Sequence, residues 1–134
     1  MTAVFADTFY FVALFSRNDQ GHTKAARFTE TFEGTIITSS WVLVEVANAL
    51  ANCERREDAG RYVERLFTSP ELVVEKTTED LLQRGLTLYL ARSDKQWSLT
   101  DCISFVVMQE RGLTEALTED HHFEQAGFNP LWKS

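Results

Sequence analysis

The sequence has only two cysteines, Cys53 and Cys102, and two prolines among its 134 residues. The cysteines lack the paired spacing of a zinc site or a redox motif, so we expect free thiols in a reducing cytoplasm rather than a disulfide. With so little proline and only six glycines, the composition excludes fibrous and low-complexity classes. No linker or repeat interrupts the chain, and we expect a single domain spanning residues 1–134.

Long hydrophobic runs are also lacking. The first fifteen residues are apolar, but Asp7 interrupts them and no lysine or arginine precedes them. We therefore expect neither a signal peptide nor a membrane anchor. The sequence has no P-loop, no G-x-G-x-x-G turn and no G-x-S-x-G turn, which argues against nucleotide cofactors and against Ser-His-Asp catalysis.

Positive charge is scarce. The formal net charge is −7, whereas proteins that bind nucleic acids usually present a basic face to the phosphates. Bound divalent cations would weaken this objection without removing it. The basic residues of the first half are Arg17, Lys24, Arg27, Arg55, Arg56, Arg61 and Arg65.

What the sequence does contain is an alternation of short β-branched or apolar runs with amphipathic stretches. The predicted strands are 3–6, 35–38, 72–74, 116–118 and 128–131, and the predicted helices are 9–15, 22–32, 41–53, 55–67, 78–92 and 100–111. Alternating strands and helices imply right-handed crossovers and a mostly parallel sheet covered on both faces. The expected fold class is α/β, a three-layer α/β/α sandwich.

Residues that favour helix N-termini precede several predicted helices. Ser39 and Ser40 offer N-caps for one helix. Thr77 with Asp80, and Ser98 with Asp101, have the spacing of a capping box. Gly112 is predicted to end the helix that Ser98 begins.

Four acidic residues fall near the carboxyl ends of the predicted strands or on the helices that follow: Asp7, Glu45, Asp101 and Asp120. Ligands of parallel sheets bind at that edge. Carboxylates gathered there would repel each other unless a cation lay among them, and ligation by oxygen alone favours Mg²⁺ or Mn²⁺ over zinc. Such an ion can generate hydroxide and stabilise charge on a phosphodiester, so the pattern predicts phosphodiester hydrolysis.

Each acid also has a simpler interpretation. Glu45 lies in W-V-L-V-E-V-A, where its carboxylate is expected to be partly buried and to need a metal or a basic partner such as Arg17 or Arg111. Asp7 is a candidate N-cap, and Asp101 fits the capping box with Ser98. Asp120 is a candidate cap for a short helix that begins at His121. These alternatives remain open at this point.

His121 and His122 are adjacent, and neither an H-x-x-x-H pair nor a cysteine accompanies them. We expect adjacent side chains to point in different directions. Surface or supporting positions are therefore predicted for both histidines, rather than a zinc site or a general base.

The order of four segments resembles the PIN-domain family, especially VapC-type toxin ribonucleases, across nearly the whole chain. These segments are F-A-D-T, W-V-L-V-E-V-A-N-A-L, S-L-T-D-C-I-S-F and A-L-T-E-D-H-H-F-E-Q-A-G-F. The resemblance implies Asp7, Glu45, Asp101 and Asp120 as the catalytic and metal-binding acids, with Asp7 and Asp101 nearest the metal. Thr8 is similar to the family's hydroxyl beside the first acid.

The resemblance also implies an activity and partners. The expected protein is a cytoplasmic Mg²⁺- or Mn²⁺-dependent endoribonuclease that cleaves RNA, forms a homodimer and is silenced by a cognate antitoxin protein. Glu119 competes with Asp120 for the fourth acidic position. The alternative from another class is a receiver-like phosphoacceptor module that binds Mg²⁺, but no acid adjoins Asp7 and no lysine ends a later strand. A PIN-like scaffold without activity is the third interpretation.

Overall fold

The structure, a computed structural model, describes residues 2–133 and contains a five-stranded sheet. Its strands are β1 (Ala3–Ala6), β2 (Thr35–Ser39), β3 (Leu72–Glu75), β4 (Glu115–Leu117) and β5 (Asn129–Pro130). The spatial order is β3-β2-β1-β4-β5, and every pairing is parallel. All five predicted strands are present, with boundaries that shift by one or two residues at some ends.

The central strand is β1, and its last three residues, Val4, Phe5 and Ala6, are fully buried. The chain continues from β1 to β2 on one side and reaches β4 on the other, so the strand order reverses beside β1. A parallel sheet opens a crevice at the carboxyl ends of its strands where the order reverses. This topology places Asp7, which directly follows β1, at the middle of that edge.

The helices are α1 (Thr8–Phe15), α2 (His22–Thr31), α3 (Ser40–Ala49), α4 (Arg56–Thr68), α5 (Glu79–Ala91), α6 (Leu99–Arg111) and α7 (His121–Gln125). The six predicted helices are present, and the predicted α/β/α sandwich is confirmed. The helix predicted over 41–53 ends earlier, at Ala49, because turns follow it. None of the helices within residues 2–133 is long and apolar enough to cross a membrane.

Side-chain caps fix where four of the helices begin: α3, α5, α6 and α7. The Ser39 side chain accepts a hydrogen bond from Val42 N at 3.2 Å at the start of α3. The predicted capping box of Thr77 and Asp80 is wrong, because α5 begins at Glu79 and Thr78 is its N-cap, accepting from Leu81 N at 3.1 Å.

The capping box that starts α6 is confirmed. The Ser98 hydroxyl accepts from Asp101 N at 3.0 Å, and the Asp101 carboxylate accepts from Ser98 N at 3.1 Å. Gly112, with φ of 67°, ends the same helix in the left-handed region, as predicted. Gly85 brings α5 close to α6, since a Cβ at that position would collide with the Ile103 side chain. The position of α6, and with it that of Asp101, is therefore fixed by packing as well as by its cap.

Both cysteines are free. Cys102 is fully buried on α6, and Cys53 is half-buried in the turn after α3. The two cysteines are thus free thiols, as expected.

Candidate active site

Asp7 lies at the N-cap position of α1, but its side chain does not cap the helix. The carboxylate turns instead toward the end of β4, where its Oδ2 accepts a hydrogen bond from Thr118 Oγ1 at 2.9 Å. Asp7 is only 7% exposed. The interpretation of this carboxylate as a simple helix cap is therefore wrong, and its burial at the edge of the sheet requires another explanation.

Thr118 links two of the acids. Its hydroxyl donates to Asp7 and accepts from the backbone N of Asp120 at 3.1 Å, and the residue is fully buried. This positioning residue was missed by sequence analysis, which recognised it only as the end of a strand. The available signal was a threonine two residues before a candidate acid.

Glu45 lies on α3 and is half-buried, as its apolar surroundings predicted. Its Oε1 accepts a hydrogen bond from Thr8 Oγ1 at 2.5 Å, so Thr8 does lie beside an acid. Arg111 pairs with Glu75 at 2.6 Å, and within residues 2–133 Glu45 forms no ion pair. The predicted alternative, in which Arg17 or Arg111 neutralises Glu45, is wrong.

Asp101 and Asp120 combine capping with a position at the site. Asp101 belongs to the capping box of α6, yet its Oδ2 also lies 3.3 Å from His122 Nδ1. Asp120 caps α7 by accepting from His122 N at 2.8 Å, and the same Oδ1 lies 3.3 Å from His122 Nδ1. Capping is therefore a correct interpretation for both residues, but it does not exclude a second role.

The two histidines do not point in different directions, so that expectation is wrong. Their ring centroids lie 4.4 Å apart, because both rings turn toward the Asp120 carboxylate. The His121 side chain is 65% exposed, whereas that of His122 is 21% exposed. The supporting position predicted for His122 agrees with its place between Asp101 and Asp120.

Two further acids, Glu119 and Asp94, form ion pairs with basic residues. Glu119 forms an ion pair with Lys24 at 3.5 Å, and Asp94 pairs with Arg92 at 3.0 Å. Asp120, in contrast, is connected to Asp7 through Thr118. These contacts support Asp120 rather than Glu119 as the fourth acid.

The carboxylates act on one another electrostatically. Burial raises the pKa of Asp7 to about 7, and the negative charges of Asp101 and Glu45 add to the increase, against the hydrogen bond from Thr118. Burial also raises the pKa of Asp101, and Asp120 and Glu45 contribute in the same direction. Asp101 and Glu45 are therefore near enough to Asp7, and Asp120 and Glu45 near enough to Asp101, for their charges to act on these carboxyls.

A divalent cation fits this region, because it would relieve the repulsion and the cost of burying the charges. The only group of three candidate ligand atoms within 4.8 Å of one another in the described part of the chain is formed by Asp120, His121 and His122. Among residues 2–133, no three of the four acids bring their ligand atoms this close together. Oxygen ligands in this arrangement suit a hard divalent ion.

The arrangement matches a known family. The sequence profile of the PIN domain matches residues 4–129 of this chain. The chain belongs to the PIN-domain family. The resemblance inferred from the four sequence segments is thus confirmed.

Two comparisons with Mycobacterium tuberculosis VapC20 extend this result. The chain is 30% identical over 126 residues to the protein named 23S rRNA-specific endonuclease VapC20, covering 93% of this chain and 95% of the relative. The crystal structure of VapC20, described as a Sarcin-Ricin loop cleaving toxin, superposes with a TM-score of 0.85 at 27% identity, again covering 93% and 95% of the two chains.

More distant structures share the PIN fold. FitAcB from Neisseria gonorrhoeae superposes with a TM-score of 0.67 at 16% identity and covers 98% of this chain and 99% of its own. DNA-bound VapBC from Salmonella typhimurium gives 0.63 at 17% identity, with 97% of each chain covered. At these identities the likeness concerns the fold alone.

The raised pKa of Asp7 predicts how the stability of the metal-free PIN domain depends on pH. Between its unfolded value of 3.8 and its folded value of about 7, the carboxyl is protonated when folded and ionised when unfolded. The unfolded state then binds fewer protons, so the contribution of Asp7 to stability falls as pH rises through this window. In thermal unfolding measured in chelator, the stability of Asp7→Asn relative to the parent should increase as the pH is raised from 4 to 7. A difference that stays constant across this range would contradict the prediction.

Proposed function

We propose that this PIN domain is a metal-dependent endoribonuclease and the toxin of a VapBC-type toxin–antitoxin pair. The observation that carries the proposal is the buried Asp7 carboxylate directly after the central strand of a PIN sheet, joined to Asp120 through Thr118 and raised in pKa by burial and by the charges of Asp101 and Glu45. The 30% identity to a 23S rRNA-specific endonuclease supports RNA as the substrate. The protein is proposed to act in the cytoplasm as one domain spanning residues 1–134, as a homodimer, and to be silenced by a cognate antitoxin.

The proposed cofactor is Mg²⁺ or Mn²⁺. Asp7 and Asp101 would hold the ion, and Glu45 and Asp120 would help to place it or the attacking water. When bound, the ion would activate water and stabilise the charge that develops on the phosphodiester. The chain supplies the orientation: Thr118 holds Asp7, Thr8 holds Glu45, and the Ser98 amide holds Asp101.

A local group of arginines partly answers the objection raised by the net charge: Arg17 and Arg65 form no ion pair within residues 2–133, whereas Arg55 pairs with Asp58 and Arg61 with Glu57. Arg17, Arg55, Arg61 and Arg65 surround a pocket of about 440 Å³ between α1 and α4. Its apolar wall is formed by Phe15 and Tyr62, whose ring centroids lie 5.2 Å apart. The basic residues counted in the first half of the sequence are therefore partly gathered in one place.

This arginine pocket suits a single-stranded RNA segment, in which bases stack on aromatic rings and phosphates meet arginines. Tyr62 is held in place, since its hydroxyl donates to Phe11 O at 2.7 Å. Phe15 lies at the far end of α1 from Asp7, about 12 Å along the helix axis at the usual rise per residue. We propose that RNA extends from the carboxylates to this pocket.

Removing arginines from the pocket should weaken RNA binding more than it slows the cleavage step. The double variant Arg17→Gln, Arg65→Gln is expected to raise KM about fivefold to tenfold and to reduce its salt dependence, because fewer counterions are released from the RNA. The cleavage rate at saturation should remain near that of the parent. Steady-state kinetics at several salt concentrations measure both quantities.

Arg27 on α2 provides a matched control. It is exposed and does not line the pocket, so Arg27→Gln removes the same charge elsewhere. The control removes one charge and the test variant two. If Arg27→Gln raised KM by as much per charge removed, general electrostatics rather than the pocket would explain the effect.

Incubation of the purified protein with ribosomal RNA tests the main proposal. Discrete internal fragments are expected with Mg²⁺ or Mn²⁺, and an added cognate antitoxin should suppress them. Membership of the PIN family leaves the receiver-like interpretation without support. Absence of cleavage under all these conditions, with the ion bound, would identify a PIN scaffold without activity. Light scattering of the eluted protein tests the proposed homodimer.

A further inference from the structure

The sequence Asp120-His121-His122 brings together one carboxylate and two imidazoles at the start of α7. Asp120 Oδ1 lies 3.3 Å from His122 Nδ1 and 3.8 Å from His121 Nδ1. One ligand atom from each of the three residues lies within 4.8 Å of the others. The three side chains therefore surround one small volume, and His122 is nearer to the Asp120 carboxylate than His121 is.

His122 Nδ1 carries the second observation. This nitrogen is buried and forms no hydrogen bond within residues 2–133, although oxygens of Asp101 and Asp120 each lie 3.3 Å away. A charge-assisted hydrogen bond would be shorter, about 2.7–2.9 Å. Two ligands of one ion with bonds of about 2.1 Å lie about 3.0–3.4 Å apart in octahedral or tetrahedral geometry. The separation of Asp120 Oδ1 and His122 Nδ1 thus suits a shared cation better than a hydrogen bond.

The backbone supports this arrangement. Asp120 caps α7 through His122 N at 2.8 Å, which holds the carboxylate above the first turn of the helix. Phe123, the next residue, is fully buried and anchors the turn to the core. The two imidazoles and the carboxylate are therefore held on a short, fixed segment, while the exposed side of His121 leaves access from solvent.

We propose that Asp120, His121 and His122 form a second metal site, for a borderline transition-metal ion such as Zn²⁺, and that its occupation withdraws Asp120 from the carboxylate site. Two imidazoles with one carboxylate select Zn²⁺ over Mg²⁺, whereas carboxylates alone favour the harder ion. Because Asp120 belongs to both groups, Zn²⁺ inhibits the Mg²⁺-dependent reaction. This inhibition rests on the proposed ribonuclease function, but Zn²⁺ binding itself does not.

Calorimetric titration of the full chain with Zn²⁺, with any affinity tag removed, tests the site directly. The sequence has only three histidines, and His22 is the matched control, because its Nδ1 lies 2.8 Å from Ala13 O, outside the cluster. His121→Ala and His122→Ala should each weaken Zn²⁺ binding at least about tenfold, as loss of a ligand requires. His22→Ala and Asp7→Asn should bind Zn²⁺ as the parent does.

The His121 side chain is largely exposed, so it can be removed without unfolding the protein. A melting curve of each metal-free variant verifies that the variant is folded. Visible absorption of bound Co²⁺ adds a readout of the ligand set and should change in both His121→Ala and His122→Ala. Unchanged Zn²⁺ affinity in these two variants would overturn the site. An equal loss of Zn²⁺ affinity in Asp7→Asn would assign the Zn²⁺ to the carboxylate site and would also overturn the proposed second site.

A cleavage assay then tests the competition for Asp120. One equivalent of Zn²⁺ added in the presence of Mg²⁺ should slow RNA cleavage by the parent and by His22→Ala, but not by His121→Ala. If Zn²⁺ binds without slowing cleavage, the proposed competition for Asp120 is overturned, whereas the Zn²⁺ site itself is not. If the parent cleaves no RNA with Mg²⁺ or Mn²⁺, the proposed function fails while the titration still decides whether the site exists.

Discussion

Replacing Asp7 or Asp101 with asparagine is expected to remove most RNA cleavage while the protein stays folded. Asparagine keeps an oxygen that can accept from Thr118 at one position and from Ser98 N at the other. Asparagine is, however, a much poorer ligand for Mg²⁺ than aspartate. Cleavage should fall more than about 100-fold, since even residues behind metal ligands contribute about 10- to 100-fold.

The stability of these variants separates a metal ligand from a helix cap. Asp101→Asn should remain within about 1 kcal/mol of the parent, as a retained cap would. Asp7→Asn should be more stable than the metal-free parent at neutral pH, because a buried carboxylate with a raised pKa no longer has to ionise. Melting temperature and cleavage rate, measured on the same preparations, provide the comparison.

Controls and further variants complete this test. Glu45→Gln retains the hydrogen bond from Thr8 and should also lose cleavage, whereas Asp94→Asn, at an exposed ion pair, should not. Comparing Glu119→Gln with Asp120→Asn decides the fourth acid, and only Asp120→Asn is expected to reduce cleavage. Fully active Asp7→Asn and Asp101→Asn proteins would contradict the metal-site interpretation.

The sheet and the approximate positions of the acids could be predicted because they depend on local signals and on topology. Apolar strands alternating with helices specify a parallel sheet, and any residue that directly follows a strand must then lie at its carboxyl edge. Asp7 after β1 is the clearest example. The capping box at Ser98 was predictable for the same reason, since both partners lie within one turn of helix.

Contacts between distant parts of the chain could not be predicted in this way. Thr118 holds Asp7 across 111 residues of sequence, and no periodicity reports such a contact. Local patterns could also not distinguish Thr77 from Thr78 as the cap of α5, because both precede an acidic first turn.

The paired orientation of His121 and His122 was predicted incorrectly because it depends on where α7 begins relative to Asp120. Adjacent residues on a regular helix do diverge, but these two occupy the first turn, beside a carboxylate that attracts both rings. The arginine pocket was missed for a related reason. Its residues come from α1, the turn after it, the residue before α4 and α4 itself, and the packing of α4 against α1 gathers them.

Removal of divalent metal is expected to abolish cleavage, and Mg²⁺ or Mn²⁺ should restore it. Without a cation, the carboxylates that raise one another's pKa would also repel the phosphodiester. Hydroxide at neutral pH requires the ion as well. Single-stranded DNA of the same sequence should be cut poorly, as expected of a VapC-type ribonuclease.

Metal binding should also stabilise the folded protein, because an ion that binds only the native state shifts the unfolding equilibrium. The increase in melting temperature on adding Mg²⁺ or Mn²⁺ should be largest above pH 7, where Asp7 is ionised and available as a ligand. In Asp7→Asn the increase should be much smaller, whereas Asp94→Asn, the surface control, should respond like the parent. Cleavage that continues unchanged in chelator, with elemental analysis showing no bound ion, would contradict the proposed mechanism. Cleavage that stops in chelator and returns with Mg²⁺ or Mn²⁺ in the parent, but not in Asp7→Asn, would link the ion, the buried carboxylate and the chemistry in one experiment.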